Sequence, residues 1–261
     1  MGRFEEGKNV AARHATLRLI GLALIVWLGG ATGAAGQDES SMEVWPEIDA
    51  WLRLSPAWRL STFVAISRNI ETAYREGSLI LQGDYAFGKM KHAEKRRMVD
   101  ESRAEVLDRF LLRGGYLGGN SLDDQGEEYK ERAALFEFHV RTPLKGRLLM
   151  SGRLRTDFRW LGDDPEFSTR WRYRLMFEKE FLVRRASIVP YASVEPYYDT
   201  RYKTVNRVRL IGGATVALWR RFALETNITY QHDSKSSVTN LWALSVILHV
   251  FFDTARAREP S

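Results

Sequence analysis

Apolar and polar residues alternate with a period of two along most of this chain. In residues 147–160, for example, Leu154 and Phe158 lie on one face, and Arg153, Arg155 and Asp157 lie on the other. Such alternation predicts β-strands that have one apolar and one polar face. Eleven segments show it: Glu43–Leu54, Trp58–Asn69, Ser78–Gly88, Glu105–Gly118, Lys130–Thr142, Arg147–Trp160, Phe167–Phe181, Ser187–Asp199, Val205–Leu218, Phe222–Asp233 and Asn240–Phe252.

The connections between these segments alternate between short and long. Residues 143–146, 183–185 and 220–221 form tight turns, whereas 121–129 and 234–239 are longer and polar. This order predicts antiparallel strands joined as consecutive hairpins.

Strand length and loop placement favour a membrane barrel over a soluble sandwich. The segments reach twelve residues or more, which exceeds the usual five or six of soluble strands and suits a tilted bilayer crossing. After the N-terminal segment, no stretch has the apolar length of a membrane helix. Aromatic residues near the ends of the apolar face suit interfacial girdles: Trp160, Trp171, Phe181, Tyr198, Trp219, Tyr230, Trp242 and Phe252. The sequence therefore predicts an all-β, antiparallel up-and-down transmembrane barrel.

The strand count depends on the charged stretch Lys89–Ala104. Single-chain bacterial barrels normally have an even number of strands, and one further strand in this stretch would give both an even number and a periplasmic N-terminus. A charged loop with a short helix is the alternative for these residues. We expect about twelve strands, within a range of ten to twelve.

The N-terminal residues have the composition of an export signal. An apolar run at residues 17–27 follows Arg13 and precedes a small-residue stretch, as in secretory signal peptides. An uncleaved anchor is the alternative, because the small residues would lengthen the run towards the ~20 residues of a membrane span. We expect cleavage near Ala35 or Gly36 and residence in the bacterial outer membrane. The predicted divisions are a signal peptide (1–36), a short periplasmic lead (37–42), the barrel (43–252) and a polar tail (253–261).

Short motifs follow one another along the predicted barrel. They are a Trp-led strand (Glu43–Glu47), Arg-x-Gly-Tyr (Arg113–Tyr116), paired Arg-x-Arg strands (Arg153–Arg155 and Arg170–Arg174), Pro-Tyr-x-x-x-Glu (Pro190–Glu195) and Asn-Arg-x-Arg (Asn206–Arg209). In this order they resemble an uncharacterised family of bacterial outer-membrane barrels, catalogued as a domain of unknown function. The resemblance implies a barrel in the outer membrane and no established activity.

The C-terminal tail departs from the usual ending of such barrels. They commonly finish at an aromatic residue in an assembly signal, whereas this chain continues past Phe252. The expected partners are outer-membrane lipid and lipopolysaccharide, the barrel-assembly machinery and periplasmic chaperones. The basic stretch 89–97 is a candidate contact for lipopolysaccharide.

Composition narrows the remaining function classes. The absence of cysteine excludes a disulfide framework, a thiolate zinc site and a cysteine nucleophile. The net charge of +6 over 261 residues is too small to indicate a nucleic-acid partner. No His/Asp/Glu cluster has a metal-ligand spacing, and we expect no cofactor.

The polar face is rich in arginine. Thirteen arginines fall on the predicted lumen side: 53, 109, 113, 141, 147, 153, 155, 159, 170, 172, 174, 207 and 209. Twelve carboxylates face them, including Glu47, Asp49, Asp84, Glu137, Asp157, Glu178, Glu195 and Glu225. Near-equal numbers favour mutual pairing that fills and stiffens the barrel. Alternatively, a stripe on neighbouring strands lines a narrow pore for small anions: Arg153, Arg155, Arg159, Arg170, Arg172 and Arg174, with Arg207 and Arg209 nearby.

An outer-membrane hydrolase acting on lipid or ester substrates is the other function to consider. Ser151, His139 and Glu137 fall on the polar faces of adjacent strands, as a barrel-wall triad requires. No Gly-x-Ser-x-Gly or His-Glu-x-x-His motif supports this reading, so we expect a protein that is not an enzyme.

Overall fold

The computed structural model describes residues 40–72, 74–88, 109–123, 129–146, 148–163, 166–183, 186–219 and 221–254. The predicted signal peptide, the stretch 89–104 and most of the C-terminal tail lie outside these residues. The strands are β1 (Ser40–Arg53), β2 (Trp58–Asn69), β3 (Arg75–Ala86), β4 (Phe110–Ser121), β5 (Lys130–Leu144), β6 (Leu148–Leu161), β7 (Glu166–Lys179), β8 (Phe181–Val183), β9 (Ala186–Asp199), β10 (Thr204–Trp219), β11 (Phe222–Asp233) and β12 (Asn240–Asp253).

The strands form one sheet that closes on itself. Consecutive strands pair in antiparallel hairpins, and β7 and β8 both pair with β9 on either side of Glu180, so that they occupy one position in the barrel. The described residues therefore build a closed barrel of eleven strand positions. This confirms the predicted all-β barrel, although the predicted limits of 43 and 252 move to 40 and 253.

The barrel closes through a parallel pair. β1 pairs with β12 in parallel along its whole length, from Ser40 opposite Asn240 to Arg53 opposite Asp253. In an up-and-down barrel with an odd number of strand positions, the first and last strands must run in the same direction. An even count is therefore not needed for closure, and the parity argument for another strand fails. β3 pairs directly with β4, so no strand lies between them in the barrel wall.

The two ends of the barrel differ in their connections. The turn end carries the tight turns after β1, β5, β8 and β10, the connection from β3 to β4 and the C-terminal end of β12. The opposite end, here called the loop end, carries the other connections and the start of β1. Gly146, in the β5–β6 turn, has φ of 76°, a left-handed conformation that glycine adopts without steric cost.

Burial is inverted relative to a soluble protein. Among the described residues, 26 buried side chains are polar or charged and 11 are hydrophobic, while 34 large hydrophobic side chains are exposed. Inward and outward positions alternate along each strand: on β6, Arg155 and Asp157 are buried, whereas Leu154 and Phe158 are exposed. The apolar face thus surrounds the barrel, and the charged face lines its interior.

Outward aromatic side chains gather near both ends. At the turn end, Trp58 packs against Tyr85 with ring centroids 5.0 Å apart. Near the loop end, Trp171 stacks on Tyr198 at 5.4 Å, and further contacts join Trp160 to Phe167 and Tyr230 to Trp242. Aromatic belts near both ends are typical of barrels that cross a bilayer.

An apolar cluster occupies part of the interior near the turn end. Trp51, Phe63, Ala223 and Phe251, from four adjacent strands around the β1–β12 pair, are buried together, with Ile80 against them. The Trp51 ring meets Phe63 edge-on at 5.0 Å. These side chains fill the interior on the side opposite the arginine-rich strands.

Candidate functional site

An ion-pair network begins on β2, β3 and β4 and extends around the interior. Asp84 is fully buried and accepts hydrogen bonds from Arg59 and from Arg113, whose Nε lies 2.6 Å from Oδ1. Arg113 Nη1 donates to Glu137 Oε2 on β5 at 3.1 Å. Both guanidinium groups also lie over the Trp51 ring, at 4.4 Å for Arg59 and 5.5 Å for Arg113. The network therefore rests on the apolar cluster.

Glu137 carries the network from β5 to β6. Its Oε1 lies 3.3 Å from Arg155 Nη1 and 3.7 Å from Arg153 Nη1, while Oε2 lies 2.7 Å from His139 Nε2. A single buried carboxylate thus faces three guanidinium groups, including that of Arg113. Shared pairing of this kind ties the donors of neighbouring strands to one carboxylate through charge-assisted contacts.

Glu195 on β9 is the second shared carboxylate. Its Oε1 accepts hydrogen bonds from Arg153 at 2.6 Å and from Arg172 at 3.0 Å, and its Oε2 accepts one from Arg174 at 2.7 Å. These arginines are brought together because β6, β7 and β9 are adjacent and in register, with Arg153 opposite Arg174. Like charges directly across a strand pair destabilise it, and Glu195 offsets that repulsion.

A third branch runs towards the loop end. Asp157 accepts from Arg155 and, at 2.9 Å, from Arg170 Nη2. Arg170 also approaches Glu131 at 3.5 Å, and Arg159 joins Glu131 at 2.6 Å. Beyond Arg159, Asp199 accepts from Arg159 at 3.1 Å and from Arg201 at 2.8 Å.

The arginine network, as the term is used below, has nine arginines and six carboxylates, which leaves three positive charges in excess. Its arginines are Arg59, Arg113, Arg153, Arg155, Arg159, Arg170, Arg172, Arg174 and Arg201, and its carboxylates are Asp84, Glu131, Glu137, Asp157, Glu195 and Asp199. These contacts hold the arginines and the carboxylates tightly together and so stiffen the barrel wall. The network keeps a net positive charge.

The arginines and the carboxylates of the network differ in their exposure to the lumen. The side chains of Arg174 and Arg153 are 26% and 15% exposed, whereas those of Glu195 and Glu137 are 0% and 1% exposed. The carboxylates lie against the barrel wall, and the longer arginines reach over them. Beside Glu137 and Glu195, a solute in the lumen would therefore meet guanidinium groups rather than carboxylates.

Tyr197 lies at the centre of the arginine side of the lumen. The Arg172 Cζ lies 4.5 Å from its ring centroid and the Arg209 Cζ lies 5.3 Å from it. Arg209 also faces the Trp45 ring at 5.1 Å and donates to Gln231 Oε1 at 2.6 Å. Cation–π contacts of this kind hold guanidinium groups without neutralising their charge.

The six arginines of the predicted stripe and the nearby Arg207 and Arg209 all face the interior. Six belong to the arginine network; Arg207 pairs with Asp233 at 2.6 Å, and Arg209 makes the contacts given above. Of the predicted acidic partners, Glu137, Asp157 and Glu195 belong to the network, and Glu178 lies 3.5 Å from Arg141. Their contact with a solute stays a prediction. Arg147 of the thirteen lumen arginines lies outside the described residues.

Glu225 lies in a different cluster, on the wall near the β1–β12 pair. Tyr191 and Thr215 donate to its carboxylate at 2.5 and 3.1 Å, and its Oε2 lies 3.2 Å from His249 Nε2. The other ring nitrogen of His249 lies 3.1 Å from Asp49 Oδ2. This histidine therefore bridges strands β1 and β11 through the intervening β12.

Four members of the network, Arg59, Glu131, Asp199 and Arg201, are absent from the residues named in the predicted lumen, and the first two show why. Arg59 shares the inward face of β2 with Ser61 and Ser67. Phe63 lies on the same face and obscures its polar character. Glu131 begins the inward face of β5 next to Ala133 and Leu135. In both strands the period of two alone assigns Arg59 and Glu131 to the inward face, although apolar residues also lie on that face.

The Ser151, His139 and Glu137 trio is not assembled as a catalytic site. His139 Nε2 is paired with Glu137, and Ser151 Oγ is buried without a hydrogen-bond partner. A nucleophile and its base need to be within hydrogen-bond reach. Within the described part of the chain, no three His, Asp or Glu side chains are grouped to hold a metal ion, and no helix is long and apolar enough to span a membrane.

Comparison with known proteins identifies a family. A family model described as protein of unknown function (DUF2490) matches residues 102–241, and no curated protein matches. The chain is also similar to the solved β domain of the Bordetella autotransporter BrkA, with 14% identity, a TM-score of 0.47 and coverage of 74% of this chain and 82% of that one. Since the family model spans more than half of its length, the chain belongs to the DUF2490 family of proteins of unknown function.

Proposed function

We propose that this protein is an outer-membrane barrel that provides a narrow, anion-preferring pathway lined by arginine. The observation that carries the proposal is the difference in exposure between the arginines and the carboxylates of the network. The proposal has two parts, a location and a permeability.

The outer face supports the location. On the described strands, the outward positions between the aromatic belts are uncharged, from Leu81 on β3 and Phe136 on β5 to Leu210 and Leu244. Such a band would aggregate in water, whereas hydrocarbon accommodates it at no cost. The expected signal peptide, cleaved near Ala35 or Gly36, would deliver the chain to the periplasm for insertion.

The connections support an orientation. In bacterial barrels the short turns usually face the periplasm and the longer loops face outside. We therefore propose that the turn end, with its four tight turns and the longer β3–β4 connection, is periplasmic and that the loop end is external. This orientation places the start of β1 on the external side, in place of the periplasmic lead expected at 37–42.

The interior supports a narrow, positive pathway. Eleven strand positions give an interior wider than that of an eight-stranded barrel, which its own side chains fill, and narrower than that of a sixteen-stranded porin. The apolar cluster around Trp51 occupies one side near the turn end. On the arginine-rich side, the most exposed charged groups of the network are guanidinium groups, and rings of arginine favour anions in pores.

Planar-bilayer recording of the purified full-length protein under a KCl gradient tests this function. We expect small conductance steps and a reversal potential that is displaced from zero towards the equilibrium potential of chloride. Arg174→Gln should shift that potential towards zero, because Arg174 is the most exposed arginine that contacts Glu195. Lys179→Gln removes the same charge from the outer face and should leave the potential unchanged.

Two results would contradict the pathway. Insertion without current at any voltage would indicate a barrel closed by its own side chains, with a structural role. Cation preference would exclude the arginine surface as the determinant of selectivity. Ester or lipid hydrolysis by the purified protein, lost in Ser151→Ala or His139→Ala, would instead establish the hydrolase.

A further inference from the structure

The outward face of the barrel carries few charges, and most of them lie together. On the described strands, the Lys, Arg, Asp and Glu residues at outward positions are Arg68, Arg75, Lys130, Arg132 and Lys179. The first four lie at the loop end of β2, β3 and β5, and Lys179 lies at the turn end. All five are cations, so the outer surface has a positive region at one end and on one side.

Two of these cations line a cleft. Lys130 and Arg132 lie with Tyr116, Trp160 and Asp163 around an outward-facing space of about 320 Å³. Arg132 is directly opposite Trp160 in the β5–β6 pair. Lys130 Nζ donates to Asp163 Oδ1 at 2.5 Å, whereas Arg132 has no ion pair with any residue that the structure describes.

A guanidinium group on a lipid-facing surface limits where the membrane boundary lies. Arginine on this face costs about 2–4 kcal/mol at the bilayer midplane and about 0–1 kcal/mol near the interface. Trp160 belongs to the aromatic belt at the loop end, so Arg132 lies at the level of the lipid headgroups. The groups available there to a planar fork of donors are phosphates, which guanidinium binds through two parallel hydrogen bonds.

A second pair of cations extends the positive region. Arg68 is directly opposite Arg75 on the outward face of β2 and β3, an arrangement of like charges that is unfavourable unless an anion lies near. Asp123, in the loop after β4, accepts from Arg75 Nη2 at 2.6 Å, and this hydrogen bond lowers the pKa of the Asp123 carboxyl. Among the described residues, one aspartate thus faces two arginines beside the cleft.

We infer that the cleft of Tyr116, Lys130, Arg132, Trp160 and Asp163 binds a phosphate group of a phosphorylated glycolipid of the outer leaflet, such as lipid A. Arg132 binds the phosphate, Lys130 offers a further N–H donor beside its ion pair with Asp163, and the aromatic side chains contact the sugar and the start of the acyl chains. The inference rests on the proposed outer-membrane location and orientation, and not on the permeability of the lumen. It also moves the expected lipopolysaccharide contact from residues 89–97 to the barrel wall.

Native mass spectrometry of the full-length protein in neutral detergent tests the site. Bisphosphorylated lipid A is titrated against the parent protein, Arg132→Gln and the matched control Lys179→Gln. We expect Arg132→Gln to weaken binding about tenfold, the value of one charge-assisted hydrogen bond, and Lys130→Gln to weaken it less. Lys179→Gln should bind as the parent does. A heat-dependent shift in gel mobility verifies that each variant is folded.

Several results would overturn the site. Equal binding by Arg132→Gln and the parent would do so, as would an equal loss in Lys179→Gln. Displacement of lipid A by equimolar phosphatidylglycerol or inorganic phosphate would show that the cleft does not select a glycolipid. A failure here is distinguishable from failure of the proposed function, because Arg132→Gln should retain the conductance and reversal potential of the parent.

Discussion

The two faces of β7 carry side chains that suit two different environments. Arg172 and Arg174 point inwards and share Glu195, while Trp171 and Tyr173 alternate with them and are exposed on the outside. In a soluble sheet the charged face would be outside and the apolar face buried. The reversal shows that this barrel is stabilised by charge pairing inside and by an apolar environment outside.

The two faces should therefore respond in opposite ways when a charged side chain is removed or added. On the inner face, removing a charge is costly because it leaves buried partners uncompensated. On the outer face, adding a charge is costly because the side chain enters hydrocarbon.

Glu195→Gln should produce the largest loss of stability. The substitution leaves Arg153, Arg172 and Arg174 without the carboxylate that they share, and breaking a buried pair costs about 3–5 kcal/mol. The measurement is the free energy of unfolding in lipid vesicles, followed by tryptophan fluorescence against guanidinium chloride. Glu166→Gln, which removes an exposed carboxylate from the start of β7, the strand that carries Arg172 and Arg174, is the control and should change stability by less than about 0.5 kcal/mol.

Leu210→Arg should cost about 2–4 kcal/mol, because Leu210 is exposed on the outer face within the apolar band. Thr215→Arg on the same strand should cost much less, since Thr215 faces the interior and contacts Glu225 at 3.1 Å. The yield of folded protein and its free energy of unfolding measure the difference. Equal costs would mean that the faces of β10 are assigned wrongly.

Asp253→Asn should cost about 1 kcal/mol, the smallest of the three effects. Arg53 Nε donates to Asp253 Oδ1 at 3.0 Å across the parallel β1–β12 pair, and Asp253 is partly exposed, so water screens the interaction. The same unfolding measurement applies. A loss as large as that of Glu195→Gln would indicate that the parallel closure, rather than the arginine network, dominates the stability of the barrel.

The strands and their faces were predictable from residue order because the period of two is local. Each of the eleven predicted segments corresponds to a strand position, and Arg153, Arg170 and Glu195 were correctly assigned to the polar face. The interruption at Glu180 was not predicted, since Phe181 continues the apolar pattern of β7.

The closure and the pairing scheme depend on long-range geometry that periodicity does not contain. The parallel pairing of β1 with β12 follows from the number of strands, and an uncertain stretch at 89–104 made that number ambiguous. The sharing of Glu195 by three arginines depends on the register of β6, β7 and β9. A tally of charges suggested near-neutrality, whereas the network concentrates arginine where a solute would meet it.

Site-directed spin labelling of β7 tests the inside-out barrel most directly, and the absence of cysteine from the chain makes single labels straightforward. Nitroxides at Tyr173, Arg174, Leu175 and Met176, in protein reconstituted in lipid, report collisions with oxygen and with a water-soluble nickel chelate. The account predicts alternation: oxygen dominates at Tyr173 and Leu175, and the nickel chelate gains access at Arg174 and Met176. Uniform accessibility along the four positions, or the opposite alternation, would contradict it.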